Sequence, residues 1–253
     1  MDSLFDVSSK TVLVTGGSRG IGRMIATGFA ERGSKVYISS RKEAELRATA
    51  DEIGATALPA DLSTEAGALA LAAELAERES ELHVLVNNAG ATWGAGLMEY
   101  PDSAFDKVFS TNVKAPFQLT RALLPQLEKA ARPGDPGRVI MIGSIEGIMV
   151  PEWENYAYPA SKAAIHMLTR QLASRLSPTI TVNVIAPGLF ASKMTAFVFD
   201  DDPAAVAISE RIPLRRAGEP SDMAGVAVFL ASRAGAYLTG AVIPVDGGLS
   251  THG

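Results

Sequence analysis

Short apolar runs alternate along the chain with longer segments in which apolar residues recur every three or four positions. The runs Thr11–Thr15, Lys35–Ser40, Ala55–Leu58, His83–Asn87, Arg138–Ile142, Thr179–Ile185 and Ala241–Val245 predict strands. The segments between them predict amphipathic helices over Ile21–Arg32, Lys42–Ile53, Glu65–Ser80, Ala104–Ala131, Ala157–Arg175 and Ser221–Ala231. Strands that read as continuous Val/Ile/Leu runs, with no polar face, imply a parallel sheet covered on both sides. Strict alternation of strand and helix implies a doubly wound α/β fold, here with seven parallel strands and helices on both faces. No internal repeat or long linker interrupts the pattern, so residues 1–253 read as one domain. Arg132–Gly137 reads as a surface turn. The stretch 192–216 fits no strand; it has a helical pattern and the acidic run Asp200–Asp202, and it reads as a lid over the sheet.

Composition narrows the function classes. A net charge of −5 gives no global attraction to nucleic acid or to an anionic membrane. No apolar run is long enough to span a bilayer. Met1–Phe5 lacks the basic and apolar regions of a signal peptide, and the expected location is cytoplasmic. There is no cysteine, which removes disulfides, thiolate nucleophiles and Cys-ligated metals. The three histidines, His83, His166 and His252, are far apart and have no second ligand at helical spacing, so no metal site is expected.

Thr15–Gly22 reads TGGSRGIG, directly after a strand and at the start of a helix. Glycines there allow a tight turn and let the backbone approach a pyrophosphate, which the helix N-terminus favours. Gly16, Ser18, Gly20, Ile21 and Gly22 are therefore candidate phosphate contacts. A site for NAD usually carries a carboxylate at the end of the second strand, for the ribose 2′-hydroxyl. Here Ser40 stands in that place and Arg41 follows, with Arg19 in the glycine turn. A guanidinium attracts a 2′-phosphate that a carboxylate would repel, so the pair points to NADP(H). The competing reading makes Arg41 a solvated residue before a helix and Arg19 a surface turn residue.

Tyr158-Pro-Ala-Ser-Lys162 opens a predicted helix, with Tyr and Lys at i and i+4 on one face. A neighbouring ammonium favours the phenolate and would lower the tyrosine pKa, fitting Tyr158 for proton transfer to a carbonyl oxygen. Tyr156 has Ala160 at i+4 and no such partner. Ser144, just beyond a strand, places a hydroxyl at the carboxyl edge of the sheet, where ligands bind in open α/β folds. Asn87-Asn88-Ala89-Gly90 ends another strand with residues small enough to pass close to a flat ligand.

TGGSRGIG, NNAG, Ser144 in IGS, YPASK and Pro187-Gly188 occur in this order over nearly the whole chain, which thereby resembles the short-chain dehydrogenase/reductase family. The resemblance implies a Rossmann-like fold and a catalytic tetrad of Asn112, Ser144, Tyr158 and Lys162. In it Tyr158 is the acid/base, Lys162 binds the nicotinamide ribose, Ser144 orients the carbonyl and Asn112 supports a proton-relaying water. It further implies cofactor contacts from Asp61 and Leu62 at the adenine, Asn88, Ala89 and Gly90 at the ribose, and Val113 beside the cofactor. Pro187, Gly188, Phe190 and Ser192 are implied near the nicotinamide and diphosphate. Relatives form dimers or tetramers, so a homodimer or homotetramer is expected.

Within the family, PADLSTEAGA, LVNNAGATWGA, NVIAPGLFASKMT and GAYLTGAVIPVDGG resemble 3-oxoacyl-(acyl carrier protein) reductases of the type that supplies rhamnolipid precursors. The implied substrate is a small-molecule ketone or acyl thioester, with an acyl carrier protein as candidate partner. Met149 and Trp153 in one loop, and Met194, Phe197, Val198 and Phe199 in the lid, supply apolar walls for a hydrophobic ketone. They equally suit packing of the lid on the body. Glu146, also a candidate substrate residue, adds negative charge with Glu152 and Glu154. Two other readings stay open: an NAD(P)-dependent alcohol or polyol dehydrogenase, and a non-catalytic nucleotide-binding regulator on the same fold.

Overall fold

In a computed structural model the structure describes residues 3–190 and 210–251. Seven strands are β1 (Thr11–Thr15), β2 (Lys35–Ser40), β3 (Thr56–Pro59), β4 (Val84–Asn87), β5 (Gly137–Ile142), β6 (Ile180–Pro187) and β7 (Val242–Val245). They form one parallel sheet in the order β3-β2-β1-β4-β5-β6-β7. The α-helices are α1 (Gly20–Ala30), α2 (Glu43–Ile53), α3 (Glu65–Arg78), α4 (Asp102–Phe109), α5 (Ala115–Ala122), α6 (Leu124–Ala130), α7 (Ala157–Leu176) and α8 (Pro220–Ala231).

The pleat sorts each strand between two cores. Val12, Val14, Val84 and Val86 join Ile25 and Phe29 of α1 and Met223 and Ala227 of α8 on one face. Leu13, Leu85, Val139 and Met141 join Leu71 and Leu75 of α3, Leu119 of α5 and Ile165 of α7 on the other. Burial on both faces is why the strands read as unbroken apolar runs. The register Val12↔Val84, Leu13↔Leu85, Val14↔Val86 joins strands from the two halves of the chain. Strand order reverses there, and a crevice opens beyond the carboxyl ends of the strands.

The expected helix over Ala104–Ala131 is three helices. Ser110–Lys114 winds as a single π-turn between α4 and α5, and Leu123 (φ −95°, ψ 2°) leaves helical geometry before α6. Prolines account for both breaks: Pro116 and Pro125 cannot donate to, and crowd, the carbonyls of Asn112 and Arg121 four residues earlier. The proposed lid residues Ser192, Met194, Phe197, Val198 and Phe199, and the run Asp200–Asp202, lie outside the described residues, as does His252.

Candidate active site

The crevice is a cleft of about 1200 Å³ walled by the residues that follow β1, β2, β4, β5 and β6. Its floor is stitched across the point where strand order reverses. Thr15 Oγ1 accepts from the backbone N–H groups of Asn88 (2.9 Å) and Ala89 (3.0 Å). Asn88 Nδ2 donates back to the carbonyls of Thr15 (2.8 Å) and Gly16 (3.2 Å). Gly16 turns at φ +66°, and a Cβ on Gly22 would stand 2.3 Å from the Gly16 carbonyl oxygen and 2.4 Å from Asn88 Nδ2. Only glycine fits either position.

Gly16, Ser18, Gly20, Ile21 and Gly22 all line the cleft, and α1 starts there without a side-chain cap. Its first N–H groups are thus available to an anion. Arg19, Ser40, Arg41, Asp61 and Leu62 line the same corner. Arg19 lies 3.9 Å from Glu45, a loose contact between half-exposed groups, and Arg41 has no ion-pair partner among the described residues. The Ser39 and Ser40 hydroxyls are buried with no hydrogen-bond partner. A backbone hydrogen bond from Ser63 (3.0 Å), helped by the Arg41 charge, holds the Asp61 carboxyl below its usual value. Orphaned hydroxyls, an unpaired guanidinium and an uncapped helix start make a corner that fits an adenosine 2′-phosphate and a diphosphate.

At the other end, α7 carries Tyr158 and Lys162 on one face, against Ser144 at the end of β5. Lys162 is 5% exposed. Its Nζ donates to the Ile142 carbonyl (2.8 Å) and lies 5.4 Å from the Tyr158 ring centroid. Burial pulls the Lys162 ammonium down to about 8, with the Glu146 charge opposing it. Tyr158 moves opposite to the expected direction. Burial raises its phenol and the Glu146 charge adds to the effect, whereas the Ser144 hydroxyl alone favours the phenolate. In this geometry desolvation and the Glu146 charge outweigh the Ser144 hydrogen bond.

Asn112 lies on the π-turn, 3% exposed, and faces protein. Its Oδ1 accepts from Ala91 N–H (2.8 Å), and its Nδ2 donates to the Ala91 carbonyl (2.9 Å) and to Ser161 Oγ (2.9 Å). Ser161 Oγ donates to the Tyr158 carbonyl (2.7 Å). Asn112 therefore ties the loop after NNAG to the Tyr158 helix, and it does not line the cleft. Val113, the next residue of that turn, is also away from the lining.

Asn88, Ala89, Gly90, Pro187, Gly188 and Phe190 line the cleft between the two ends. Glu146, Met149 and Trp153 line the mouth beside Ser144. Ser144 Oγ accepts from the Glu146 N–H (3.1 Å), and Asn155 Nδ2 donates to Glu146 Oε2 (2.8 Å). Tyr156 turns away and donates to Glu154 (2.8 Å). Sequence reasoning missed Ser161, Asn155 and Arg211. Ser161 sits inside YPASK, and a polar residue buried by neighbours of distant sequence leaves no periodic mark. Arg211 lines the mouth through an ion pair with Glu152 (2.8 Å).

The profile of the family described as Enoyl-(Acyl carrier protein) reductase matches residues 16–250. The chain belongs to the short-chain dehydrogenase/reductase family. As a member of it, the chain is an oxidoreductase. It is 48% identical over 253 residues to the Rhamnolipids biosynthesis 3-oxoacyl-[acyl-carrier-protein] reductase of Pseudomonas aeruginosa, covering 98% of this chain and 99% of that one. It is 34% identical over 252 residues to the galactitol 2-dehydrogenase (L-tagatose-forming) of Cereibacter sphaeroides, covering 97% of each. A solved Pseudomonas aeruginosa RhlG/NADP active-site complex superposes with a TM-score of 0.96 at 47% identity, covering 99% of this chain and 100% of that one. Relatives named for different substrates, one a reductase and one a dehydrogenase, thus match nearly the whole chain. No helix among the described residues is long and apolar enough to cross a membrane.

Proposed function

We propose that the protein reduces the ketone of a 3-oxoacyl thioester to a secondary alcohol, using NADPH. The observation that carries this reading is the grouping of Ser144, Tyr158 and Lys162 at one end of a single cleft whose other end presents Arg41 and Ser40. Gly16, Ile21 and Gly22 would hold the diphosphate, Arg19 and Arg41 the 2′-phosphate, and Lys162 the nicotinamide ribose. When bound, NADPH supplies the hydride for the carbonyl carbon. Ser144 and Tyr158 orient the carbonyl oxygen by hydrogen bonds, and Tyr158 delivers the proton that converts the nascent alkoxide to an alcohol. A phenol raised by burial stays protonated at neutral pH, which suits reduction better than oxidation. Lys162, an ammonium below about pH 8, is the positive charge nearest that proton.

The relative from Pseudomonas aeruginosa supports the acyl substrate, and its solved counterpart supports NADP. The apolar mouth at Met149 and Trp153 suits an acyl chain. An acyl carrier protein as physiological donor, a cytoplasmic location and an assembly of two or four copies go with the same reading. The test is NADPH oxidation followed at 340 nm with acetoacetyl and longer 3-oxoacyl thioesters, against NADP+ reduction with polyols. Thioester turnover is expected to exceed polyol turnover. Faster polyol oxidation would replace this reading with the polyol dehydrogenase one.

A further inference from the structure

Two carboxylates line the mouth of the cleft on the Ser144 side, Glu146 and Glu152. Glu152 is exposed and is neutralised by Arg211 at 2.8 Å. Glu146 has no ion pair among the described residues. Burial raises its carboxyl, and neutral donors favour the charged form against that: the Asn155 amide at 2.8 Å and a hydrogen bond from Trp153. Its own N–H is fixed on Ser144 Oγ at 3.1 Å. The Asn155 amide thus holds the carboxylate in the same mouth of the cleft that Ser144 lines. Its charge is felt at both Tyr158 and Lys162. The one cation within its influence, Lys162, already has its ammonium engaged by the Ile142 carbonyl.

We propose that Glu146 is a specificity-determining residue that repels substrates carrying a carboxylate next to the reacting ketone, so that only neutral conjugates of 3-oxo acids are reduced. The inference rests on the ketone-reductase reading of the same site. The acyl carbon of a 3-oxoacyl group is two carbon–carbon bonds from the reacting carbonyl, so a free carboxylate there cannot retreat from the wall. Two like charges a few ångströms apart in a partly dry cleft repel far more than they would in water. Rejection of a competitor by placed charge is a common route to specificity. A thioester or amide at that carbon is neutral and meets no such barrier. The protein would then act on the acyl group only after its conjugation, and would leave the free acid untouched.

Ligand-observed NMR at pH 8, with the protein saturated in NADP+, tests this without turnover. Octanamide is expected to bind about tenfold or more tightly than octanoate. Glu146→Gln, which keeps an acceptor for Asn155 and removes the charge, should bring the two within about threefold. Asn155→Ser removes the amide donor, keeps the charge, and should retain the preference for octanamide. Equal binding of the two ligands by the unaltered protein, or an undiminished preference in Glu146→Gln shown by a melting curve to be folded, would overturn the proposal. A kinetic arm compares ethyl 3-oxohexanoate with 3-oxohexanoate. Preference for the amide together with inactivity on both ketones would refute the functional reading alone and leave the role of Glu146 standing.

Discussion

Tyr158 and Tyr156 lie two residues apart, yet only Tyr158 faces the cleft, with Lys162 one turn on. Tyr156 spends its hydroxyl on Glu154. Tyr158→Phe should therefore lower kcat for ketone reduction by about 10²–10⁴-fold, whereas Tyr156→Phe keeps most activity. Steady-state rates with one active ketone decide it, and the opposite ranking would reassign the acid. Lys162 gives that acid a pH limit. Its ammonium is present below about pH 8 and lost above, so kcat/KM for reduction should fall as pH rises through that value. A profile flat to pH 10 would show that the ammonium is not required. At the other end of the cleft, Arg41 has no ion-pair partner among the described residues to give up when it meets a 2′-phosphate. Arg41→Ala should weaken NADPH binding by about 1.5–3 kcal/mol, roughly ten- to a hundredfold, and leave NADH binding nearly unchanged. Fluorescence titration of both cofactors measures the ratio.

Elements explain which of these residues could be read from the chain and which could not. Every strand was legible to within two residues, because a buried parallel strand is a contiguous apolar run bounded by turn residues. The glycine turn, Ser144, Tyr158 and Lys162 were legible because each is anchored to the end of one such run or to the first turns of the following helix. The segment from Ala104 to Ala131 was not, since its apolar spacing continues through two prolines that break the hydrogen-bond ladder without disturbing the period. The contacts of Asn112 were hidden for another reason: its partners Ala91 and Ser161 are 21 and 49 residues away. The direction of the Tyr158 shift was missed because burial is a property of the packed site and not of helical spacing. The π-turn now carries a prediction of its own. Asn112→Ala removes the partner of the Ala91 N–H and carbonyl in a partly buried loop. It should cost about 1–3 kcal/mol in denaturant unfolding, and should speed hydrogen exchange at Ala91 ahead of the sheet. Unchanged stability would mean that water replaces the amide.

At the scale of the whole molecule, buried ionisable groups make stability depend on pH. The imidazole of His166, on α7, is buried, and its Nε2 finds no hydrogen-bond partner. Burial, with the nearby charges of Lys162 and Arg170, lowers its pKa from 6.5 to about 4. Above pH 6.5 the folded and unfolded chains both hold it neutral. Between those values only the unfolded chain takes up the proton, so stability falls as the pH drops from 6.5 to 4. The loss is up to about 3 kcal/mol, and the denaturant midpoint of the protein should fall across that range by more than that of His166→Gln, so the difference between the two shifts in the variant's favour at acid pH. The sheet itself has a second consequence. Its two halves, β3-β2-β1 and β4 to β7, meet in the sheet through three residue pairs alone, Val12↔Val84 to Val14↔Val86. Arg41 and Asp61 belong to the first half, Lys162 and Pro187 to the second. A dinucleotide long enough to reach both works as a brace across a seam: the joint cannot part while both ends are gripped. Cofactor at a hundred times its dissociation constant adds about 2.7 kcal/mol to global stability. The amides of the seam strands should then slow in step with the whole molecule, so that the protein is sturdiest when it is ready to react.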